Sequence, residues 1–199
     1  MFTAPVSDIS FEDKIATTEE LIKCGATIQE INVVRKHLSQ VKGGNLARLL
    51  YPATVYGLVI SDVMDNDLST ISSGPLSPDP STFRDALKII KKYKVVVPAS
   101  VKKYLEKGVK NPELETIKKG APYFKKVSIK IIADHMTSIK VAEKTARAQG
   151  FKVKLLKKPI TGEARDVVKG FIKSSGPRSL LIESGETTVT CTGKGSGGR

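Results

Sequence analysis

Three stretches of the chain hold residues whose types and spacing could do chemistry. Residues 61–82, "SDVMDNDLSTISSGPLSPDPST", carry Asp62, Asp65, Asp67 and Asp79 among serines, prolines and a glycine. Oxygen donors of this kind organise Mg²⁺, which also bridges to substrate phosphates. The same residues also build Asx-turns and helix caps, so residue type alone leaves both readings open. Ser39 and Lys42, followed by Gly43-Gly44, could hold an anion between a lysine charge and inward-facing backbone N–H groups. "GKGSGGR" at 193–199 looks like a phosphate loop but follows the strand-forming run "TTVTCT" without leading into a visible helix. His37 and His135 are the only histidines, and with Cys24 and Cys191 far apart no zinc spacing exists. No metal ligand set is therefore assigned. Serine-hydrolase elbows, Walker loops and dinucleotide fingerprints are absent from the sequence.

The elements that must position these residues can be read from periodicity. Ser10 is a candidate N-cap for a helix over 10–23, with Glu12 and Asp13 at its positive end. Ile28, Ile31, Val34 and Leu38 share one face of a second helix, and "NLARLL" gives a short third. "VYGLVI" at 55–60 reads as a buried strand that delivers Ser61 and Asp62 at its carboxyl end. The 61–82 segment is too long for an ordinary connection, which marks it as functional. Helices are expected over 81–93 and 99–107. From 127 the order is strand "VSIKIIA", helix 137–149, strand "KVKLL", helix 162–174 and strand "SLLIES", with 187–192 as its hairpin partner. Strands alternating with helices predict βαβ units and an α/β fold built on a mostly parallel sheet.

Composition narrows the class. Of 199 residues, 40% are hydrophobic and 27% charged, as in a soluble globular chain. The net charge of +13 is concentrated in residues 88–130, where thirteen lysines face only Glu106, Glu113 and Glu115. That stretch has no arginine forks and no aromatic platform, so a solvated lysine surface is expected rather than a nucleic-acid site. No apolar run reaches membrane-spanning length, and "MFTAPVSDIS" lacks the regions of a secretory signal. The two cysteines form no CxxC pair. A reduced, cytoplasmic protein without a membrane or nucleic-acid partner is the expectation.

Several stretches together resemble one family. "CGATIQEINVVRKHLSQVKGGNLA" (24–47) is similar to the "GA-I-E-N-VRKHLS-KGG-LA" signature of glycerate 2-kinases that carry a MOFRL domain, formerly often labelled hydroxypyruvate reductases. "SDV…STISSGPLSPDPSTFRDA" (61–86) resembles the family's "SDV-GD…IASGPT-PDPSTF" loop, and "TGEAR" (161–165) its "GEAR" motif. "SGETTVTCTGKGSGGR" (184–199) resembles the start of "GGETTV-V-GKGKGGRNQE". Order and spacing agree along essentially the whole chain. The family's upstream "VGKA" and "SGGGSAL" segments and its downstream "GTDG-DGPTDAAGA" segment have no counterpart.

The resemblance implies a Rossmann-like portion truncated at both ends. Residues 1–176 would be the C-terminal part of the kinase N-terminal domain, and 177–199 the beginning of the MOFRL domain. It implies transfer of the ATP γ-phosphoryl to D-glycerate, with Mg²⁺. The isolated chain is expected to have little activity and to fold poorly, with a separately encoded remainder as a possible partner. Arg199 falls on the family's phosphate- or transition-state-stabilising arginine, and Gly195, Gly197 and Gly198 on the nucleotide loop. Arg35, Lys36, Ser39, Lys42 and Asp62 fall on substrate- or phosphate-binding positions. Asp65, Ser184 and Asp134 depart from the pattern, the first two replacing glycines. Hydroxypyruvate reduction is the rival enzymatic reading, disfavoured by the missing dinucleotide fingerprint. A non-catalytic partner module is the third.

Overall fold

The computed structural model describes residues 4–156, 159–167 and 176–189. The chain divides into two compact units, Met1–Val59 with Asp67–Lys130, and Ile60–Asn66 with Ile131–Arg199.

The first unit is mainly helical, and local chemistry sets where its helices begin. Ser10 accepts the Asp13 N–H at 3.0 Å and starts α1, Phe11–Lys23. Reciprocal capping boxes of Thr27 with Glu30 and of Thr82 with Asp85 open α2, Ile28–His37, and α4, Phe83–Lys92. Between them lies the short α3, Asn45–Leu50, and α5 spans Ala99–Lys110. Their apolar stripes meet in one core of Leu21, Val34, Leu38, Phe83, Ala86, Val101 and Leu105. Phe83 is its pivot: its ring packs edge-on against His37 at 4.6 Å and Tyr104 at 5.8 Å. Gly108 has to be a glycine because a Cβ there would enter the Phe83 ring.

Strand β1, Val55–Ile60, pairs with β2, Val127–Ala133. The Val55 N–H reaches the Lys126 carbonyl and the Ser61 N–H the Ala133 carbonyl, both at 2.9 Å, so the two strands run in parallel. The expectation that β1 is buried on both faces fails. Its burial alternates, with Tyr56, Leu58 and Ile60 at 78%, 70% and 72% exposure. An unbroken apolar run cannot reveal whether both faces are covered, and here one is not.

In the second unit, Asp134 caps α6, His135–Ala148, through the Thr137 N–H at 2.8 Å. β3, Lys152–Leu155, then pairs in parallel with β4, Ser179–Ile182, in the register Lys152↔Ser179 to Leu155↔Ile182. The parallel α/β fold expected from the strand–helix alternation is therefore present, as two parallel strand pairs among the described residues. Of the hairpin partner expected over 187–192, residues 190–192 lie outside the described residues, and the described part does not fold back on β4. Residues 185–188 instead run parallel to 160–163 through the bridges Ile160↔Gly185 and Glu163↔Thr188. Gly185 permits this approach, since a Cβ would run into the Ile160 backbone. Of the helix expected over 162–174, residues 162 and 163 are not helical, 164–167 are, and 168–174 lie outside the described residues.

Candidate functional site

The end of α2 and the turn after it tie two sequence motifs together. The Lys36 ammonium donates to Asp79 Oδ1 at 3.2 Å, with both side chains almost fully buried. Asp79 also accepts the Ser81 N–H at 3.1 Å and the Ser81 hydroxyl at 2.8 Å. Burial opposes the Asp79 charge, but Lys36 and the Ser81 donors more than offset it and hold the carboxyl below the usual range. Next to this pair, His37 Nε2 lies 2.7 Å from Glu115 Oε1 and Nδ1 lies 2.7 Å from the Val33 carbonyl. Glu115 additionally accepts the N–H groups of Thr116 and Phe83, at 2.9 and 3.2 Å. Its pKa falls to about 2: burial works against the charge, and His37, Thr116 and Lys118 outweigh it. Ser39 donates to the Ala4 carbonyl at 3.2 Å and accepts the N–H groups of Val41 and Lys42, each at 3.3 Å. Lys36 and Ser39 are thus engaged in holding the turn, as is His37.

Among the described residues, Arg35 and Lys42 have no carboxylate partner of this kind. Lys42 Nζ donates to the Ser72 carbonyl at 2.9 Å. Arg35 Nη1 donates to Asn32 Oδ1 at 3.4 Å, and that same oxygen accepts the Ser73 hydroxyl at 2.9 Å. Both cations therefore flank one turn, in which Ser72, Ser73 and Gly74 all take left-handed φ values of 52°, 63° and 61°. Two consecutive serines in this region cost about 1–3 kcal/mol each, strain of the kind that gathers at ligand sites. Gly43 and Gly44 supply the other side of the turn. Their N–H groups, expected to point at an anion, donate to the Ser73 and Gly74 carbonyls at 3.0 and 2.7 Å.

A third cation escaped the sequence reading. Lys14 on α1 is 5% exposed, and among the described residues its Nζ has no hydrogen-bond partner. Burial, then the charges of Lys42 and Arg35, lower its pKa to about 8. Burial and Arg35 bring Lys42 to about 8 as well, and burial also lowers Arg35. The available signal was positional: Lys14 shares the buried face of α1 with Thr17 and Leu21 at helical spacing, a place where packing does not call for lysine.

The aspartates of 61–82 behave differently. Asp62 lies exposed just beyond β1, in the second unit. Asp67 accepts the hydroxyls of Ser69 and Thr70 at 2.6 and 2.7 Å, and Asp79 is committed to Lys36 and Ser81. No group of three or more His, Cys, Asp or Glu side chains converges among the described residues. At the Asp65 position the left-handed conformation falls on the next residue, Asn66 (φ 55°), whose amide donates to Asp134 at 2.8 Å. Arg199, Gly195, Gly197 and Gly198 lie outside the described residues.

Fold and site together define an α/β protein that gathers uncompensated cations around a strained serine–glycine turn. Residues 1–106 match the family model described as a domain of unknown function, DUF4147. The chain is 39% identical to the glycerate 2-kinase of Pyrococcus horikoshii over 210 residues, covering 100% of this chain and 47% of that one. It is 34% identical to an Agrobacterium vitis protein named as a putative hydroxypyruvate reductase, over 100% of this chain and 46% of that one. A crystal structure of glycerate kinase from Thermotoga maritima matches with a TM-score of 0.77 at 36% identity, over 98% of this chain and 47% of that chain. The chain spans about half the length of the curated relatives it matches. It belongs to the DUF4147 family, and its resemblance to the glycerate 2-kinases is borne out along its whole length. No helix among the described residues is long and apolar enough to cross a membrane.

Proposed function

We propose that these residues serve a glycerate 2-kinase, which moves the γ-phosphoryl group of ATP to the 2-hydroxyl of D-glycerate. The observation that carries this reading is the similarity to glycerate 2-kinases along the full chain. The cation cluster is the physical feature that suits it. Both reactants are anions, and phosphoryl transfer is governed by positioning and charge neutralisation. Lys42 and half-buried Arg35 are the groups available for that task, with Lys36 and Ser39 fixing the turn that presents them. Asp62 is assigned a substrate contact, Gly195, Gly197 and Gly198 the nucleotide phosphates, and Arg199 the transferring phosphoryl group. These assignments rest on the sequence resemblance, as does Mg²⁺ as the nucleotide's companion. The division into residues 1–176 of the kinase N-terminal domain and 177–199 of the MOFRL domain rests on it too. A cytoplasmic enzyme acting on a small molecule, with neither nucleic acid nor membrane as partner, fits the same reading. Any second polypeptide would supply the remainder of the enzyme.

The test is an assay of the chain alone and of the chain spliced into the Pyrococcus horikoshii relative in place of the matching half. The expected result is ATP-dependent formation of 2-phosphoglycerate by the spliced protein, and a loss of about tenfold or more when Arg35 becomes Met, because hydrogen bonds to charged groups are worth about 1.5–3 kcal/mol. The name carried by the Agrobacterium vitis relative sets the second arm. Oxidation of NADH with hydroxypyruvate, without phosphorylation of glycerate, would replace the kinase reading with a reductase.

A further inference from the structure

Proteins ordinarily pair or solvate a lysine ammonium, because burying a lone charge is costly. Lys36 follows that rule through Asp79. Lys14 does not: it is 5% exposed, its Nζ has no partner among the described residues, and the charges that reach it are those of Lys42 and Arg35. Lys42, itself 3% exposed, spends one of its three N–H donors on the Ser72 carbonyl. Arg35 spends one donor on Asn32 and is half-buried, the most open of the three. Lys42 and Arg35 thus flank the left-handed Ser72–Gly74 segment, Lys14 from α1 lies close enough to feel both charges, and among the described residues no carboxylate pairs with any of the three.

We propose that Lys14, Lys42 and Arg35 form a subsite for one small oxyanion, a carboxylate or a phosphoryl group, with Lys14 as its inner donor. Such a ligand supplies what the protein lacks at this point: full negative charge and several lone pairs within reach of unspent N–H donors. Arg35 stands at the open side, and its planar fork suits a two-oxygen contact. Lys14 and Lys42 close the inner side as point charges. The bond from Lys42 to the Ser72 carbonyl, and the Asn32 oxygen that accepts from both Ser73 and Arg35, keep two of the cations in place before the anion arrives, so little ordering remains for binding itself. The subsite rests on the kinase reading only for its two candidate occupants, the carboxylate of D-glycerate and a phosphoryl oxygen cluster.

The experiment uses the 199-residue chain, with inorganic phosphate and D-glycerate as separate probes, followed by calorimetry and by ¹³C-lysine NMR at low salt. One or both probes are expected to bind. Lys14→Met weakens the bound probe by about tenfold or more, the scale of one lost charged hydrogen bond, while Lys14→Arg keeps most of the affinity. Lys23→Met, an exposed change on the same helix, leaves it unaltered. On the unsubstituted chain, saturating probe raises the titration midpoints of Lys14 and Lys42, a readout that does not depend on any variant folding. Phosphate alone acting identifies a phosphoryl occupant, and D-glycerate alone a carboxylate; either supports the subsite. Midpoints unmoved by both probes overturn it. So does D-glycerate binding that leaves Lys14 untouched, an outcome under which the kinase reading survives. Anion binding at Lys14 in a spliced protein that phosphorylates nothing supports the subsite and removes the kinase reading instead.

Discussion

At the residue scale, neighbours in one short motif do opposite work. Lys36 and His37 each meet an acid, buried Asp79 and half-buried Glu115, whereas among the described residues Arg35 on the preceding position is left without one. The sequence could flag all of them as polar and clustered. It could not divide them, because Asp79 and Glu115 arrive from 43 and 78 residues away. The Glu115 contact leads to a pH prediction. Its carboxyl titrates at about 2 in the folded chain, against an ordinary value of 4.5. A depressed carboxylate stabilises the fold fully above the unfolded value and loses that contribution as pH falls through the window between the two. Glu115→Gln should therefore lower stability at pH 7, and the gap from the parent should narrow steadily as acid approaches the lower value. Urea unfolding at several pH values reads this directly, since the other carboxylates cancel in the difference. A gap that stays constant down to strong acid would show that Glu115 acts as a hydrogen-bond acceptor without its charge mattering.

At the element scale, most boundaries were legible because they are written in local chemistry. Ser10, Thr27, Thr82 and Asp134 all cap the helices that follow them, and α1 to α5 fall close to where periodicity places them. What was not legible is which faces are covered. β1 has the composition of a fully buried strand, yet Tyr56 and Leu58 stand 78% and 70% exposed. The described segment after β4 shows a related limit: 185–188 pair with 160–163 by parallel register and not by proximity along the chain. The open face of β1 has a measurable consequence. Exposed apolar side chains on a short two-stranded sheet invite association. The isolated chain should bind a hydrophobic dye and sediment partly as oligomers, and replacing Tyr56 and Leu58 by Thr should reduce both. Burial of these two side chains is worth on the order of 1.5–3 kcal/mol each where they find a partner surface, so the shift should exceed tenfold in the association constant. A chain that sediments as a monomer at all concentrations, with no dye binding, would rule this out.

At the scale of the whole molecule, stability and charge are both unevenly shared. Among the described residues, every buried apolar side chain except Ile139 and Ala146 belongs to the first unit. The lysine-rich stretch 88–130, read from the sequence as a solvated surface, lies in that same unit, with Lys88 and Lys92 at 77% and 61% exposure. The first unit thus combines a continuous hydrophobic core with a strongly basic exterior. The described residues of the second include parallel β3 and β4 and a capped helix, with Ile139 and Ala146 as their buried apolar side chains. Periodicity showed the elements of both units equally well. It could not rank them, because burial depends on contacts between elements and not on the pattern within one. Local opening free energies follow buried apolar contact, so the two units should not open together. Hydrogen exchange read by mass spectrometry should find the slowest amides in α2, α4 and α5, around Phe83, and much faster exchange in α6 and β3. Phe83→Ala removes the residue that touches both His37 and Tyr104 and should cost about 3–5 kcal/mol. That loss should speed exchange throughout the first unit while leaving rates in α6 and β3 nearly as they were. Uniform acceleration across α1 to α6 would mean that the chain opens as one cooperative body.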